Sequence, residues 1–183
     1  MSIGNVADWG VGEPVTERVY SNNGNASLLN LLDQSFNSVL DIGCGAGDNA
    51  VLVKAMKRDC EIFGITCSAS ESAIAQERMT KCWVADIEDN LPGGLIDQTF
   101  DVLIFSHVLE HLRDPATVLA RYSRLLRRGG QLVIAVPNIV SWAMRFQFLL
   151  GDFRYQSSGV LDDTHLRFFT FFTADGYLLA KSL

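Results

Sequence analysis

Three glycines at alternate positions, in Asp41-Ile-Gly-Cys-Gly-Ala-Gly47, are the residues of this chain whose spacing points most directly to a ligand site. They follow the apolar pair Val39-Leu40 and precede a helix-like segment, so they occupy a strand-to-helix turn. Glycine at such a turn lets the backbone bend sharply and lets a ligand come close without a β-carbon in the way. The amides at the helix start then face polar ligand groups. Diphosphate binding fits poorly, because the dinucleotide pattern G-x-G-x-x-G needs its third glycine at position 48, which is Asp48. Asp41, directly before the loop, suits a cationic or amine-bearing ligand and repels a pyrophosphate. By themselves the same glycines would also serve a tight turn that binds nothing.

The chain has three histidines, His107, His111 and His165. His107 follows Ser106 at the end of the apolar run Phe100-Asp-Val-Leu-Ile-Phe105, at the rim where open α/β sheets place ligands. His111 lies a helical turn further on, beside Glu110, where it either shares the pocket or pairs with the carboxylate. His165 belongs to Leu161-Asp-Asp-Thr-His-Leu-Arg-Phe-Phe-Thr170, a polar cluster between apolar residues that suggests a paired network. Each histidine could accept a proton near neutral pH. For each, a packing or structural role stands beside that reading. Cys44, Cys60, Cys67 and Cys82 form no C-x-x-C pair, so they are expected to be buried or half-buried thiols, with no metal site and no disulfide framework.

The elements that must position these residues alternate between strand and helix. Helical spacing covers Ala26 to Leu32, and Ser38 to Gly43 reads as a short strand. A helix over about 48–56, a strand over 61–65, a helix opened by Ser70 and running to about Met79, and a strand over 82–85 follow. The 100–105 run is apolar enough for a central parallel strand covered on both faces. A helix from Pro115 to Arg127 would end at Gly129-Gly130, and Gln131 to Val136 forms the fifth strand, stopped by Pro137. This order predicts a doubly wound α/β sheet rather than a barrel, whose eight units need roughly 200 residues or more.

Val39-Leu-Asp-Ile-Gly-Cys-Gly-Ala-Gly47 resembles the first motif of class I, Rossmann-like, S-adenosylmethionine-dependent methyltransferases. Val84-Ala-Asp-Ile87, the stretch from Phe100 to Pro115, and Leu125-Leu-Arg-Arg-Gly-Gly-Gln-Leu-Val-Ile134 are similar to the family's later segments in order and spacing. The resemblance covers about Tyr20 to Asn138. It implies a mostly parallel sheet, S-adenosylmethionine as donor, S-adenosylhomocysteine as product, and donor contacts from Asp41, Gly43, Gly45, Gly47, Cys67 and Ser106. Asp86 would meet the adenine amino group, and Ile87 would pack on the ring. Where the family usually ends its second strand in a ribose-binding acid, this chain has Thr66, so Thr66 is taken as a ribose contact and Glu71, five positions on, as a second one. The segment after Val136-Pro-Asn138 also resembles methyltransferases of bacterial cell-surface polysaccharide and methionine-linked branches, which implies that Asp163, His165 and Arg167 border an acceptor site.

Net charge of -6 and a pI near 5.0 oppose non-specific nucleic-acid binding, so a small or neutral partner fits better, and the resemblance implies a small-molecule or glycan acceptor methylated on O or N. A non-catalytic donor-binding or partner-binding protein is the alternative. An aminopropyltransferase or nicotinamide enzyme fits the glycine spacing less well. No run of about 18 apolar residues is present, so the protein is expected to be cytoplasmic without a transmembrane segment. A single domain over 1–183 is expected, with an N-terminal lead at 1–25, a donor-binding core at 26–138 and a shortened acceptor-side cover at 139–183. Trp142, Phe146 and Leu149 or Leu150 lie near helical spacing within that cover. Gly176-Tyr-Leu-Leu179 would at most begin a sixth strand. The family's terminal strand hairpin cannot then fit, and a five- or six-stranded sheet would have its open edge covered by 139–183 or by a second subunit in a homodimer.

Overall fold

A computed structural model describes residues 23–33 and 35–179, so nearly all of the expected N-terminal lead lies outside the described residues. Five strands, β1 (Ser38–Ile42), β2 (Glu61–Thr66), β3 (Lys81–Val84), β4 (Phe100–Ser106) and β5 (Leu126–Ala135), form one sheet in the order β3-β2-β1-β4-β5, every pair parallel. Among the described residues, six α-helices accompany them: α1 (Ala26–Leu29), α2 (Asp48–Met56), α3 (Ala69–Ala75), α4 (Pro115–Ser123), α5 (Trp142–Leu149) and α6 (Phe171–Ala174). The fold is the expected Rossmann-like α/β arrangement.

Strand periodicity divides the apolar side chains into two cores. Leu40, Ile42, Ile65, Leu103 and Phe105 face one side, where they pack with Val118, Leu119 and Tyr122 of α4. Val39, Ile62, Val102, Ile104 and Val133 face the other, against Leu28 and Leu29 of α1 and Ala50 and Val53 of α2. Every residue of β1 is buried, as a central strand covered on both faces must be.

Several boundaries differ from the sequence expectation. Helix α3 is capped by Ser68, whose hydroxyl accepts from the Glu71 amide at 3.2 Å, rather than by Ser70. Helix α4 stops at Ser123 instead of reaching Arg127, and Gly129-Gly130 does not cap it. The double glycine lies inside β5, at a bulge where pairing jumps from Phe100–Leu126 to Val102–Gln131. Glycine is needed there for two reasons: Gly129 has φ +79°, and a β-carbon on Gly130 would stand 2.7 Å from the Asp101 carbonyl oxygen.

The segment expected to begin a sixth strand, 176–179, is instead a π-helical turn (Asp175–Leu179) continuing α6. Thr170 and Thr173 form a reciprocal capping box that starts this helix, and Leu178 and Phe169 enter the core on the α4 side. Residues 158–165 thus border the carboxyl ends of the strands and 169–178 pack on the α4 side, whereas α5 buries only Met144 and leaves Trp142, Phe146, Leu149 and Leu150 exposed, so it does not give the cover expected of it. Among the described residues no strand pairs with the outer edge of β5, and no helix is long and apolar enough to cross a membrane. The cysteines are free thiols; Cys67 is exposed, contrary to expectation, while Cys44, Cys60 and Cys82 are buried.

The bulge yields a stability test. Gly130→Ala should destabilise the protein by about 1–3 kcal/mol in urea unfolding, because the new methyl group meets backbone. Gly176→Ala, with open space around it, should change stability by less than about 1 kcal/mol.

Candidate functional site

The carboxyl ends of β1, β2, β3 and β4 open on one cleft of about 1010 Å³. Five carboxylates line it, from Glu71, Asp86, Glu88, Glu110 and Asp162, and among the described residues no Lys or Arg does. Such a lining favours a cationic ligand and disfavours an anionic one.

The glycine loop is hung on the neighbouring strand: the amides of Gly43 and Cys44 both donate to the Ile65 carbonyl, at 2.9 and 2.8 Å. Gly43, Gly45 and Gly47 all have positive φ, +77°, +53° and +84°, which explains the residue type at each. Their surroundings separate their roles. A β-carbon on Gly43 would collide with Val108, and one on Gly47 would press on Ala75 of α3, so these two allow close packing. At Gly45 a β-carbon would meet nothing nearer than the Glu71 carboxylate at 3.8 Å, so its open side belongs to the cleft.

Beside that opening, the Thr66 hydroxyl donates to Glu71 Oε2 at 2.7 Å and accepts from the Ser68 amide at 3.3 Å. The strand-tip hydroxyl thus fixes a buried carboxylate delivered by the first turn of α3. After β3, Asp86 accepts from the Glu88 amide at 2.8 Å, and Ile87 is buried while lining the cleft. Arg121 of α4 pins this turn by donating to the carbonyls of Ile87, Glu88 and Asp89. Glu88 ties it to the far wall through the amides of Arg113 and Asp114.

A polar chain crosses the base of the cleft. Asn25 Nδ2 donates to Ser106 Oγ at 3.3 Å, the Asn25 amide donates to Asn49 Oδ1 at 2.8 Å, and Asn49 Nδ2 donates to Asp41 Oδ2 at 3.2 Å. Asp41 is fully buried, and its Oδ1 has no partner. Burial pushes its carboxyl from 3.8 up to about 7, with the Asn49 hydrogen bond acting in the opposite direction.

Just past the tip of β4, His107 has φ +57°, the only described non-glycine residue with a positive φ. Its Nδ1 stands 3.4 Å from Glu110 Oε1, and this contact raises the imidazole above its ordinary value against the effect of burial. Glu110 and His111 sit in a 3₁₀ turn (Leu109–His111). The Glu110 carbonyl accepts from the amides of Leu166 and Arg167, at 2.8 and 2.9 Å, which brings His165 to His111 with ring centroids 4.7 Å apart.

The structure places Gly43, Gly45, Thr66, Cys67, Glu71, Asp86, Ile87, Ser106, His107, His111 and His165 on the cleft wall. Asp41 lies beneath the wall and Gly47 behind it, at the start of α2. Asp163 and Arg167 lie off it, where Arg167 donates to the Arg113 carbonyl at 2.6 Å, while the neighbouring Asp162 and Thr164 face the cleft. Asn25 and Asn49 were missed in the sequence because isolated polar residues carry no periodic signal, while Asp162 lies in the polar cluster singled out there, from which only Asp163, His165 and Arg167 were given a place at the acceptor site.

The model of a family described as "Methyltransferase domain" matches residues 40–134. An uncharacterized methyltransferase from Anoxybacillus flavithermus is 30% identical over 115 residues, covering 61% of this chain and 53% of that protein. A ubiquinone biosynthesis O-methyltransferase from Pseudomonas paraeruginosa is 32% identical over 111 residues, covering 55% and 44%. The chain thus spans about half the length of these relatives. Among solved structures, the plantazolicin methyltransferase BpumL in complex with SAH aligns with TM-score 0.52 at 20% identity, covering 63% of this chain and 42% of that one. StiE O-MT aligns at 0.51 and 22%, covering 67% and 46%. At these identities the structural likeness speaks for the fold.

Asp41 generates a prediction about pH. Its folded value of about 7 lies above the ordinary 3.8, so its contribution is most favourable at low pH and is lost as pH rises through 7. The difference corresponds to roughly 4 kcal/mol. Asp41→Asn should therefore raise the melting temperature of the ligand-free protein by several degrees at pH 8, and by less at pH 5. A variant that melts lower than the parent at pH 8 would contradict the burial argument.

Proposed function

The chain belongs to the methyltransferase domain family, and from that premise we propose that it binds S-adenosylmethionine in the cleft and methylates an oxygen of a small-molecule acceptor. The observation that carries the reading is the open side of Gly45 facing the buried Glu71 carboxylate, inside a cleft lined by five carboxylates and, among the described residues, by no Lys or Arg. That combination suits a ligand with a cationic centre and a pair of hydroxyls.

Within this reading, Glu71, held by Thr66, accepts the ribose hydroxyls, because a carboxylate has two acceptor oxygens. Asp86 and Ile87 supply a polar edge and an apolar surface for the adenine. Asp41, through its unpartnered Oδ1 and the Asn49 contact, supplies negative charge beneath the loop for the ammonium end. The bound donor supplies an electrophilic methyl group, whose in-line transfer depends chiefly on alignment. His107, His111 and His165 line the same cleft, where an imidazole accepts the proton that the acceptor hydroxyl gives up as the methyl group is transferred. The oxygen acceptor is favoured by the ubiquinone biosynthesis O-methyltransferase among the similar proteins.

Calorimetric titration with S-adenosylmethionine tests the donor site. Gly45→Val should abolish binding, since its side chain fills the open side of the loop. Glu71→Gln should weaken binding about tenfold or more, in line with loss of a charge-assisted hydrogen bond. Unchanged affinity in the Gly45 variant would refute the site. With methyl-labelled donor and a cell extract, label should enter the small-molecule fraction; label confined to polysaccharide would replace the acceptor class.

A further inference from the structure

The same cleft holds a second constellation, in which Glu110, unused by the function above, meets two of the histidines already placed on the acceptor wall. Glu110, His111 and His165 each present one ligand atom, and the three atoms lie within 4.8 Å of one another. Glu110 is 1% exposed, and neither carboxylate oxygen has a hydrogen-bond partner. Its contact with His107 Nδ1, at 3.4 Å, is an ion-pair distance without hydrogen-bond geometry. Apart from that ion pair, the buried carboxylate keeps acceptor capacity that no hydrogen bond from the described residues meets.

The imidazoles are oriented from behind. His165 Nδ1 faces the Val160 carbonyl at 3.1 Å, and a carbonyl only accepts, so Nδ1 carries the proton. His111 Nδ1 faces the Thr164 hydroxyl at 3.0 Å, and that hydroxyl donates its own proton to Asp162 Oδ1 at 2.5 Å. The hydroxyl therefore receives the His111 Nδ1 proton. Both rings are left with a lone pair on Nε2. Histidines whose far nitrogen donates to a carbonyl or to a hydroxyl–carboxylate pair have the outer support seen at metal sites.

We propose that Glu110, His111 and His165 bind one divalent transition-metal cation, with Zn²⁺ as the best-matched probe, and that its open coordination positions face the cleft. Two imidazoles and one carboxylate match a three-ligand zinc site with a vacant position, whereas Mg²⁺ prefers oxygen ligands throughout. The site adjoins His107 and the acceptor wall, so an acceptor oxygen is the ligand class suited to the open positions. That last clause rests on the proposed methyl transfer; the cation site does not.

The test uses the full chain, dialysed free of metal and titrated with Zn²⁺, Mn²⁺ and Mg²⁺ separately. One equivalent of Zn²⁺ should bind, more tightly than Mn²⁺, with Mg²⁺ weakest. Glu110→Gln and His165→Gln should each weaken Zn²⁺ binding more than about tenfold, and Thr164→Val about tenfold through the lost outer support. Circular dichroism and melting curves verify folding; His165 is only half-buried, so its variant carries the test if Glu110→Gln unfolds. Gly45→Val should lose the donor yet keep Zn²⁺. Absence of Zn²⁺ binding to the parent, or binding that Glu110→Gln and His165→Gln leave intact while folded, overturns the site. A parent that takes one Zn²⁺ but no S-adenosylmethionine supports the cation site and overturns only the donor reading.

Discussion

Strands covered on both faces have no water-facing side for polar groups, so their polarity collects at the two ends. In β1 and β4 the two ends are treated differently. At the amino ends, Asp101 Oδ2 accepts from the Ser38 amide and hydroxyl and from the Asn37 amide, while Oδ1 takes Arg127 at 2.8 Å. Those groups satisfy one another and close that side of the sheet. At the carboxyl ends, Asp41 and Ser106 are joined only through Asn49 and Asn25, and Asp41 keeps an unpartnered oxygen. The cleft lies at the end where the protein has left polar capacity unused.

That asymmetry places the site at strand tips while its side chains come from elsewhere. Glu71 arrives from the first turn of α3, Asn49 from α2, and Glu110 from a 3₁₀ turn held by the amides of Leu166 and Arg167. Each is buried and acidic or amide-bearing, and two are aimed by a neighbour, Glu71 by Thr66 and Asn49 by Asn25. The sheet fixes positions; the connecting segments supply the chemistry. Buried acids of one sign destabilise the ligand-free molecule, a strain typical of sites whose ligand carries the opposite charge.

The errors in reading the elements have a common origin. Leu125-Leu-Arg-Arg-Gly-Gly looks like the end of a helix because glycine is a frequent helix terminator, yet the same residue serves a strand bulge. The choice was made by the Asp101 carbonyl, which leaves no room for a β-carbon at Gly130. Gly176-Tyr-Leu-Leu179 is similarly ambiguous over so short a run. Packing of Leu178 into the core beside Tyr122 and Phe169 resolves it as helical.

The succession of strands and helices along the chain, the glycine turn and the family resemblance were legible in the sequence because each rests on local, repeated features: apolar runs, glycine spacing and short motifs on strand tips. The partnership of His111 with His165, the fixing of Glu71 by Thr66, and the burial of Asp41 and Glu110 were not. These depend on which residues distant in the chain share one enclosed space, and burial, charge and hydrogen-bond satisfaction are properties of that space rather than of any segment. The sequence determined where a ligand could enter; the tertiary packing decided which carboxylates and imidazoles would meet it.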